Sequence, residues 1–277
     1  MEQTAIADMY DQSAPMSDAF NDGQVHLAYW YDAQDGAPMT EASRRLTAKV
    51  ADSLGLRPGM RVLDVGCGMG TPALQLAADY DVEVVGINIS TVQVQAARER
   101  AEQAGLADRV SFRIADFMDL AEFADESFDA VIAMEVLLYS KDLVDALRGL
   151  RRVLKPGGRL SLSETTREDM SVAEAEEFAT TFQAEFLISV PEWIAALRAA
   201  GLEFQESVQC GPRVFGMGPK YLADAERRTA ELQAEFGPEA VTELKGALGY
   251  YFQTGAGRVG YAIVTAGRPA GADQEAG

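Results

Sequence analysis

The sequence predicts a doubly wound α/β fold: a mostly parallel, seven-stranded sheet with helices on both faces and a helical lid at its ligand end. Three observations lead there. From Met60 onward, short apolar runs alternate with helical patterns, as expected of a parallel sheet buried on both sides. The first run, Arg61-Val-Leu-Asp-Val65, passes directly into Gly66-Cys-Gly-Met-Gly70, which reads as strand, tight turn and helix start. A chain of 277 residues also suffices for one large core with a subsidiary lid.

Taken in order, residues 1–22 are polar with apolar positions at Ile6, Met9, Tyr10, Met16 and Phe20, predicting one or two short helices. Residues 24–31 crowd aromatic side chains beside His26, the only histidine. Leu46, Val50 and Leu54 repeat at helical spacing, so residues 40–54 read as a helix that Thr40 could cap. After the strand at 61–65 come a helix through Leu76, a strand at 82–89, a helix at 91–104 and a strand at 110–115. A strand at 128–134, a helix at 143–154, the turn Lys155-Pro-Gly-Gly158 and a strand at 159–163 follow.

Beyond this point the pattern changes. Residues 165–183 read as an acidic helix, 190–200 as a second helix and 202–209 as a strand. Two helical stretches at 211–237 and 239–252 precede a closing strand at 258–265, and the Gly, Pro and Ala content after Ala266 predicts a frayed tail. The expected division is therefore 1–56 as an N-terminal helical lid segment, 57–210 as the cofactor-binding core, 211–254 as a helical lid insertion, and 255–277 as the last strand with a disordered tail.

Composition removes several classes of function. The formal charge of −19 argues against nucleic acid, whose phosphates require clustered Lys and Arg. No apolar run approaches the length of a membrane span, and the first residues lack a secretory layout, so a cytoplasmic protein with no membrane partner is expected. Cys67 and Cys210 are too few for a disulfide framework or a metal site; both are expected reduced. Oligomeric state is left open.

Gly66, Gly68 and Gly70 permit positive φ and let a ligand lie against bare backbone, with the N–H groups of the following helix pointing at it. Pro72 suits the first helical turn, and Thr71 could cap it. A dinucleotide loop would want Gly-x-Gly-x-x-Gly; here the third glycine comes one residue early. Asp64, at the strand end, could orient the loop or hold an ammonium group.

With these motifs in place, residues 24–165 resemble the class I S-adenosylmethionine-dependent methyltransferases, a Rossmann-like family. The resemblance extends to actinobacterial natural-product enzymes of the rebeccamycin sugar O-methyltransferase kind. It is carried by His26-Leu-Ala-Tyr-Trp30, the glycine loop, Val84-Val-Gly-Ile-Asn-Ile-Ser90, Ala115-Asp-Phe-Met-Asp-Leu120 and Val153-Leu-Lys-Pro-Gly-Gly158. The segment Asp81 to Gln93 is also similar to cyclopropane mycolic acid synthases.

The resemblance implies S-adenosyl-L-methionine as cofactor and a small-molecule acceptor. It sets the methionine half of the cofactor against Gly66, Gly68 and the His26 region, and the ribose hydroxyls against Asn88, which replaces the usual acid. Gln93 falls where related enzymes contact the cofactor. Asp116 would accept from the adenine amino group with Phe117 beside the ring, and Glu135 faces the same cleft. These residues fall at or near the carboxyl ends of parallel strands, where such sheets bind ligands.

In the resembling sugar O-methyltransferases a histidine follows the fourth strand and an acid ends the fifth. Here Tyr139 and Glu164 hold those positions and are the expected catalytic pair. A phenol is a poor base near neutrality unless its environment lowers its pKa. The Glu135-x-x-x-Tyr139 spacing is similar to that of prenyl diphosphate C-methyltransferases, in which aromatic faces can stabilise a cation. His26 is the other candidate base, although its surroundings favour contact with the cofactor. The expected reaction is O-methylation of a secondary metabolite. C-methylation of an alkene through a carbocation, and a methyltransferase-like cyclase that retains the cofactor, stand as alternatives. Phe178, Phe182, Phe186, Trp193, Phe215, Met217 and Tyr221 are expected to give the lid an aromatic pocket.

Overall fold

The computed structural model describes residues 3–270. Helix α1 (Gln3–Asn21) and helix α2 (Met39–Leu54) precede an alternating core. The core runs β1 (Arg61–Val65), α3 (Thr71–Tyr80), β2 (Glu83–Asn88), α4 (Thr91–Gln103), β3 (Val110–Ile114), β4 (Phe128–Met134), α5 (Leu143–Val153) and β5 (Leu154–Arg167). Then come α6 (Val172–Thr181), α7 (Val190–Ala199), β6 (Glu203–Gln209), α8 (Gly218–Arg227), α9 (Thr229–Phe236), α10 (Pro238–Gly255) and β7 (Val259–Gly267).

All seven strands form one sheet in the order β3-β2-β1-β4-β5-β7-β6. Strands β1 to β5 are parallel, and β7 runs antiparallel between β5 and β6. The chain reverses direction across the sheet between β1 and β4, the kind of crevice in which doubly wound folds bind ligands. In β1, Val62, Leu63 and Val65 are completely buried, each side chain contributing about 1.5–3 kcal/mol of hydrophobic stabilisation. Val62 joins the core layer under α2 and α3, while Leu63 and Val65 face the layer under α5 and α7. The alternation follows from the two-residue period of a strand.

Several element boundaries differ from the sequence expectation, each for a local reason. Within the expected 1–22 stretch, Gln3–Asn21 form one long helix that absorbs Pro15. Pro38, not Thr40, stands at the N-terminal boundary of α2, with no side-chain cap. Thr71 does not cap α3, because its hydroxyl donates to the Gly23 carbonyl at 2.7 Å and thereby ties the N-terminal segment to the glycine loop. The turn at 155–158 is a bulge within β5, across which pairing passes from Phe128 with Leu154 to Ala130 with Arg159.

Strand β5 then runs on to Arg167 because Thr165 and Thr166 pair with Tyr261 and Gly260. The acidic helix consequently starts only at Val172, where Ser171 and Glu174 make a capping box. Gly211, Pro212, Gly216, Gly218 and Pro219 break the expected 211–237 helix into two short 3-10 turns followed by α8 and α9. The chain after Ala266 remains bound for two more residues: Gly267 pairs with Arg159, and the Arg268 guanidinium donates to the carbonyls of Arg151, Arg152 and Leu154. The rest of the expected tail, 271–277, lies outside the described residues.

Candidate active site

Two adjoining cavities open over the carboxyl ends of β1, β2, β4 and β5. The first is walled by Gly66 and Gly68, Asn88 and Gln93, Asp116 and Phe117, and closed from above by Ile6 and Tyr10 of α1. The second, of about 340 Å³, lies beneath α6 and α10 and is lined by Phe178, Phe182, Phe186, Leu248 and Tyr251. Tyr10, Val25, Glu135 and Tyr139 belong to both walls. These four side chains therefore mark the boundary across which a group could pass from one chamber to the other.

The glycine loop is shaped by packing as well as by conformation. Gly66 and Gly68 have φ of +67° and +53°, and a Cβ on either would lie 2.4 Å from Val136 or Val25 respectively. Any side chain there would push a neighbouring wall into the first cavity. At the opposite side, Asn88 accepts from the Ser90 N–H (3.0 Å) and donates through Nδ2 to Gln93 Oε1 (2.9 Å). Gln93 is buried, and its Nε2 has no partner. An unpartnered buried amide donor is costly unless a ligand satisfies it, and a ribose hydroxyl would. Asp116 Oδ1 holds the Met118 N–H at 2.8 Å, presenting the carboxylate beside Phe117 at the cavity wall.

Glu135 occupies the boundary in a left-handed backbone conformation (φ 53°), uncommon for a residue with a side chain. The conformation is held by its N–H donating to the Ser163 carbonyl at 2.8 Å. Its Oε1 accepts from the Leu27 N–H (2.7 Å) and from the Tyr261 hydroxyl (2.8 Å). Burial pushes the carboxyl up to about 7, opposed by these two bonds. Tyr139 accepts from the Tyr10 hydroxyl at 2.8 Å, their rings meeting edge to face. Burial raises the Tyr139 phenol to about 12, so near neutrality it is a proton donor and not a base.

Three residues expected at the site face elsewhere. Glu164 is buried behind Glu135 and lines neither cavity. Its Oε1 accepts from the N–H groups of Val136 (3.0 Å) and Leu137 (2.8 Å), so it fixes the turn that carries Tyr139, while its buried Oε2 has no partner. Burial and the nearby Glu135 charge hold its carboxyl well above the usual range.

His26 turns away from both chambers, where Val25 takes the wall position. Its Nδ1 lies 2.7 Å from the Leu27 carbonyl and its Nε2 3.1 Å from the Thr47 hydroxyl, and burial lowers it to about 4. A neutral ring donating from Nδ1 and accepting at Nε2 satisfies both neighbours, which is a structural role. Asp64 is likewise buried away from the cavity walls, raised by burial to about 8, with Oδ2 lacking a partner.

Of the aromatic residues expected to line the lid pocket, Phe178, Phe182 and Phe186 do so. Trp193 packs into the core beside β5, while Phe215, Met217 and Tyr221 pack among the lid helices themselves. Sequence reasoning missed Tyr10, Val25 and Tyr251 as wall residues. The i, i+4 spacing of Ile6 and Tyr10 was the available signal for the first, since it puts both on one face of α1.

A parallel sheet with a glycine turn after its first strand, and a cavity across its strand ends offering amide, carboxylate and aromatic groups, defines an α/β enzyme that binds a nucleoside cofactor. A methyltransferase-domain family model matches residues 56–201, and the chain belongs to that family. The chain is 35% identical over 268 residues to methyltransferase GfsG of Streptomyces halstedii, covering 95% of this chain and 94% of that one. It is 41% identical over 198 residues to the 27-O-demethylrifamycin SV methyltransferase of Amycolatopsis mediterranei, covering 70% and 72%. Among solved structures, the [4+2]-cyclase SpnF superposes with a TM-score of 0.83 at 33% identity, covering 96% of each chain. This protein is an S-adenosyl-L-methionine-dependent methyltransferase.

Proposed function

We propose that this enzyme methylates a hydroxyl oxygen of a small secondary metabolite, with the cofactor in the first cavity, the acceptor in the second, and Glu135 receiving the acceptor's proton. The observation that carries the reading is Glu135 itself, a carboxyl on both walls, fixed through one oxygen and buried enough to titrate near neutrality. A base whose pKa lies close to the working pH is well matched to proton removal. A relative whose name specifies methylation at oxygen supports the same reading.

Bound in the first cavity, S-adenosyl-L-methionine supplies an electrophilic methyl carbon. The chain's own task is alignment and exclusion of water. Gly66 and Gly68 would leave room for the methionine half, Gln93 Nε2 and Asn88 would meet the ribose, and Asp116 and Phe117 would meet the adenine. On the acceptor side, the phenyl and leucine walls seat an apolar body while Glu135 and Tyr139 face its reacting end.

Transfer to an alkene carbon is the second reading. It is favoured by the neutral Tyr139 phenol at the histidine position and by the aromatic faces of Phe178, Phe182 and Tyr251. Incubation with methyl-labelled S-adenosyl-L-methionine and a panel of hydroxylated polyketides and polyenes tests both readings. Label in an acid-stable methoxy group is expected. Label on carbon replaces the first reading with the second, and an unlabelled rearranged product overturns both in favour of cyclase chemistry.

A further inference from the structure

The second cavity differs from an ordinary ligand site in its charge. Apart from Glu135, its walls are phenyl, phenol and aliphatic groups with the Thr165 hydroxyl, and no Lys, Arg or His lines it among the described residues. The titratable groups around it are Glu135 from the end of β4, Glu164 behind it on β5, Tyr10 from α1, Tyr139 from the adjoining turn and Tyr251 from α10. The phenols are all raised by burial and stay neutral, and the Tyr10 hydroxyl already donates its hydrogen bond to Tyr139.

On the reading that this cavity seats the acceptor, we infer that the acceptor is an uncharged, largely apolar molecule presenting one hydroxyl to Glu135, and that acceptors carrying a carboxylate or phosphate are excluded by the chamber itself. An anion buried here would find no countercharge and would face a second carboxyl, whereas buried charges require pairing. A neutral body avoids the cost of burying an unpaired charge, and its hydroxyl has Glu135 as a partner, while its apolar part meets rings whose centroids stand 4.6 Å apart for Phe178 and Phe182 and 4.7 Å for Phe182 and Tyr251. The reaction that supplies this acceptor must therefore leave it without a free acid, as ring closure or esterification does.

Charge can be isolated by holding the apolar body constant. With the protein loaded with S-adenosylhomocysteine, the neutral fluorophore N-phenyl-1-naphthylamine is bound and then displaced by 1-decanol or by decanoate at pH 7.5. Decanol is expected to displace it at a concentration at least 30-fold lower than decanoate. Leu248→Arg, or Ala247→Arg if the first variant fails to fold, should shrink that ratio at least fivefold by supplying a cation at the wall.

Equal or tighter binding of decanoate by the unmodified protein overturns the inference, as does failure of the fluorophore to bind. A ratio unchanged in both arginine variants also overturns it, by moving the binding outside the chamber. None of these readouts depends on turnover. A charge preference without methyl transfer therefore counts against the proposed function alone, and methylation of a hydroxylated carboxylate counts against this inference alone.

Discussion

Glu135 is pulled in two directions by its surroundings, and the balance sets a pH dependence that can be measured. Its folded value of about 7 lies above the unfolded one, so folding favours the protonated form. That stability is fully present below the unfolded value near 4.5 and is lost as pH rises through about 7. Glu135→Gln is thus expected to be more stable than the parent at pH 8, by about 1–3 kcal/mol in urea unfolding, yet at least about 100-fold slower. The parent's kcat/KM for the acceptor should rise with pH as the carboxyl ionises, and the variant should lose that limb. An unchanged pH profile would remove Glu135 as the base.

His26 has the opposite sign. Its folded value of about 4 lies below the ordinary 6.5, so its contribution is complete above 6.5 and lost as pH falls toward 4. Unfolding at pH 7.5 and pH 5 should show a smaller acid loss in His26→Gln than in the parent. Tyr139 separates the two chemistries. Tyr139→Phe should slow oxygen transfer by removing the phenol that faces the acceptor, whereas transfer to an alkene should tolerate Phe but not Ala.

At the scale of the element, α1 is the part of the structure that covers the cofactor cavity. Its Ile6 and Tyr10 close the first cavity from above. The helix is strapped down at both ends of that cavity. Asp11 accepts from the Ser90 hydroxyl (2.5 Å), the Thr91 hydroxyl (3.2 Å) and the Val92 N–H (3.3 Å) at the start of α4, while Tyr10 reaches Tyr139. Farther along α1, Asp18 pairs with Arg100.

We propose that α1 swings away for loading and closes afterwards, with α6 and α10 closing over the acceptor. Asp11→Ala should loosen the strap and weaken cofactor affinity about tenfold in calorimetry. Amide exchange across residues 3–21 should slow when S-adenosylhomocysteine binds, and equal exchange with and without it would argue against a moving strap. This helix also shows what the sequence could not convey. Its amphipathic spacing is visible in Ile6 and Tyr10, but the partners that pin it come from residues 90–92 and 139, far along the chain. Glu164 is a similar case: its place on β5 is legible, whereas the direction of its carboxyl depends on the Val136 and Leu137 N–H groups of the turn after β4.

Across the whole molecule, the alternating apolar runs were sufficient to read the strand positions and the parallel core, because a sheet buried on both faces leaves a continuous hydrophobic signature, whereas the cofactor was legible only through the family resemblance of the glycine loop and its companion motifs. The sequence was less informative about the lid, where glycine and proline fragment the helices and packing decides which aromatic rings face a cavity. The cofactor should stabilise the molecule globally. At a free concentration about 100 times its Kd, S-adenosyl-L-methionine adds about 2.7 kcal/mol and should raise Tm by several degrees. NAD at the same concentration should leave Tm unchanged, and an equal shift with NAD would contradict the cofactor assignment.

The position of β7 has a consequence for how the protein is made. This strand lies between β5 and β6, and its Tyr261 grips Glu135, yet it is the last strand to leave the ribosome. Until residues up to Gly267 have emerged from the exit tunnel, β5 and β6 each present an unpaired edge and the carboxyl at the centre of the site lacks its phenol. Synthesis thus delivers the Rossmann-like half early and the working enzyme only at the end, and a nascent chain stalled ahead of β7 would expose sticky strand edges and need a chaperone to shield them.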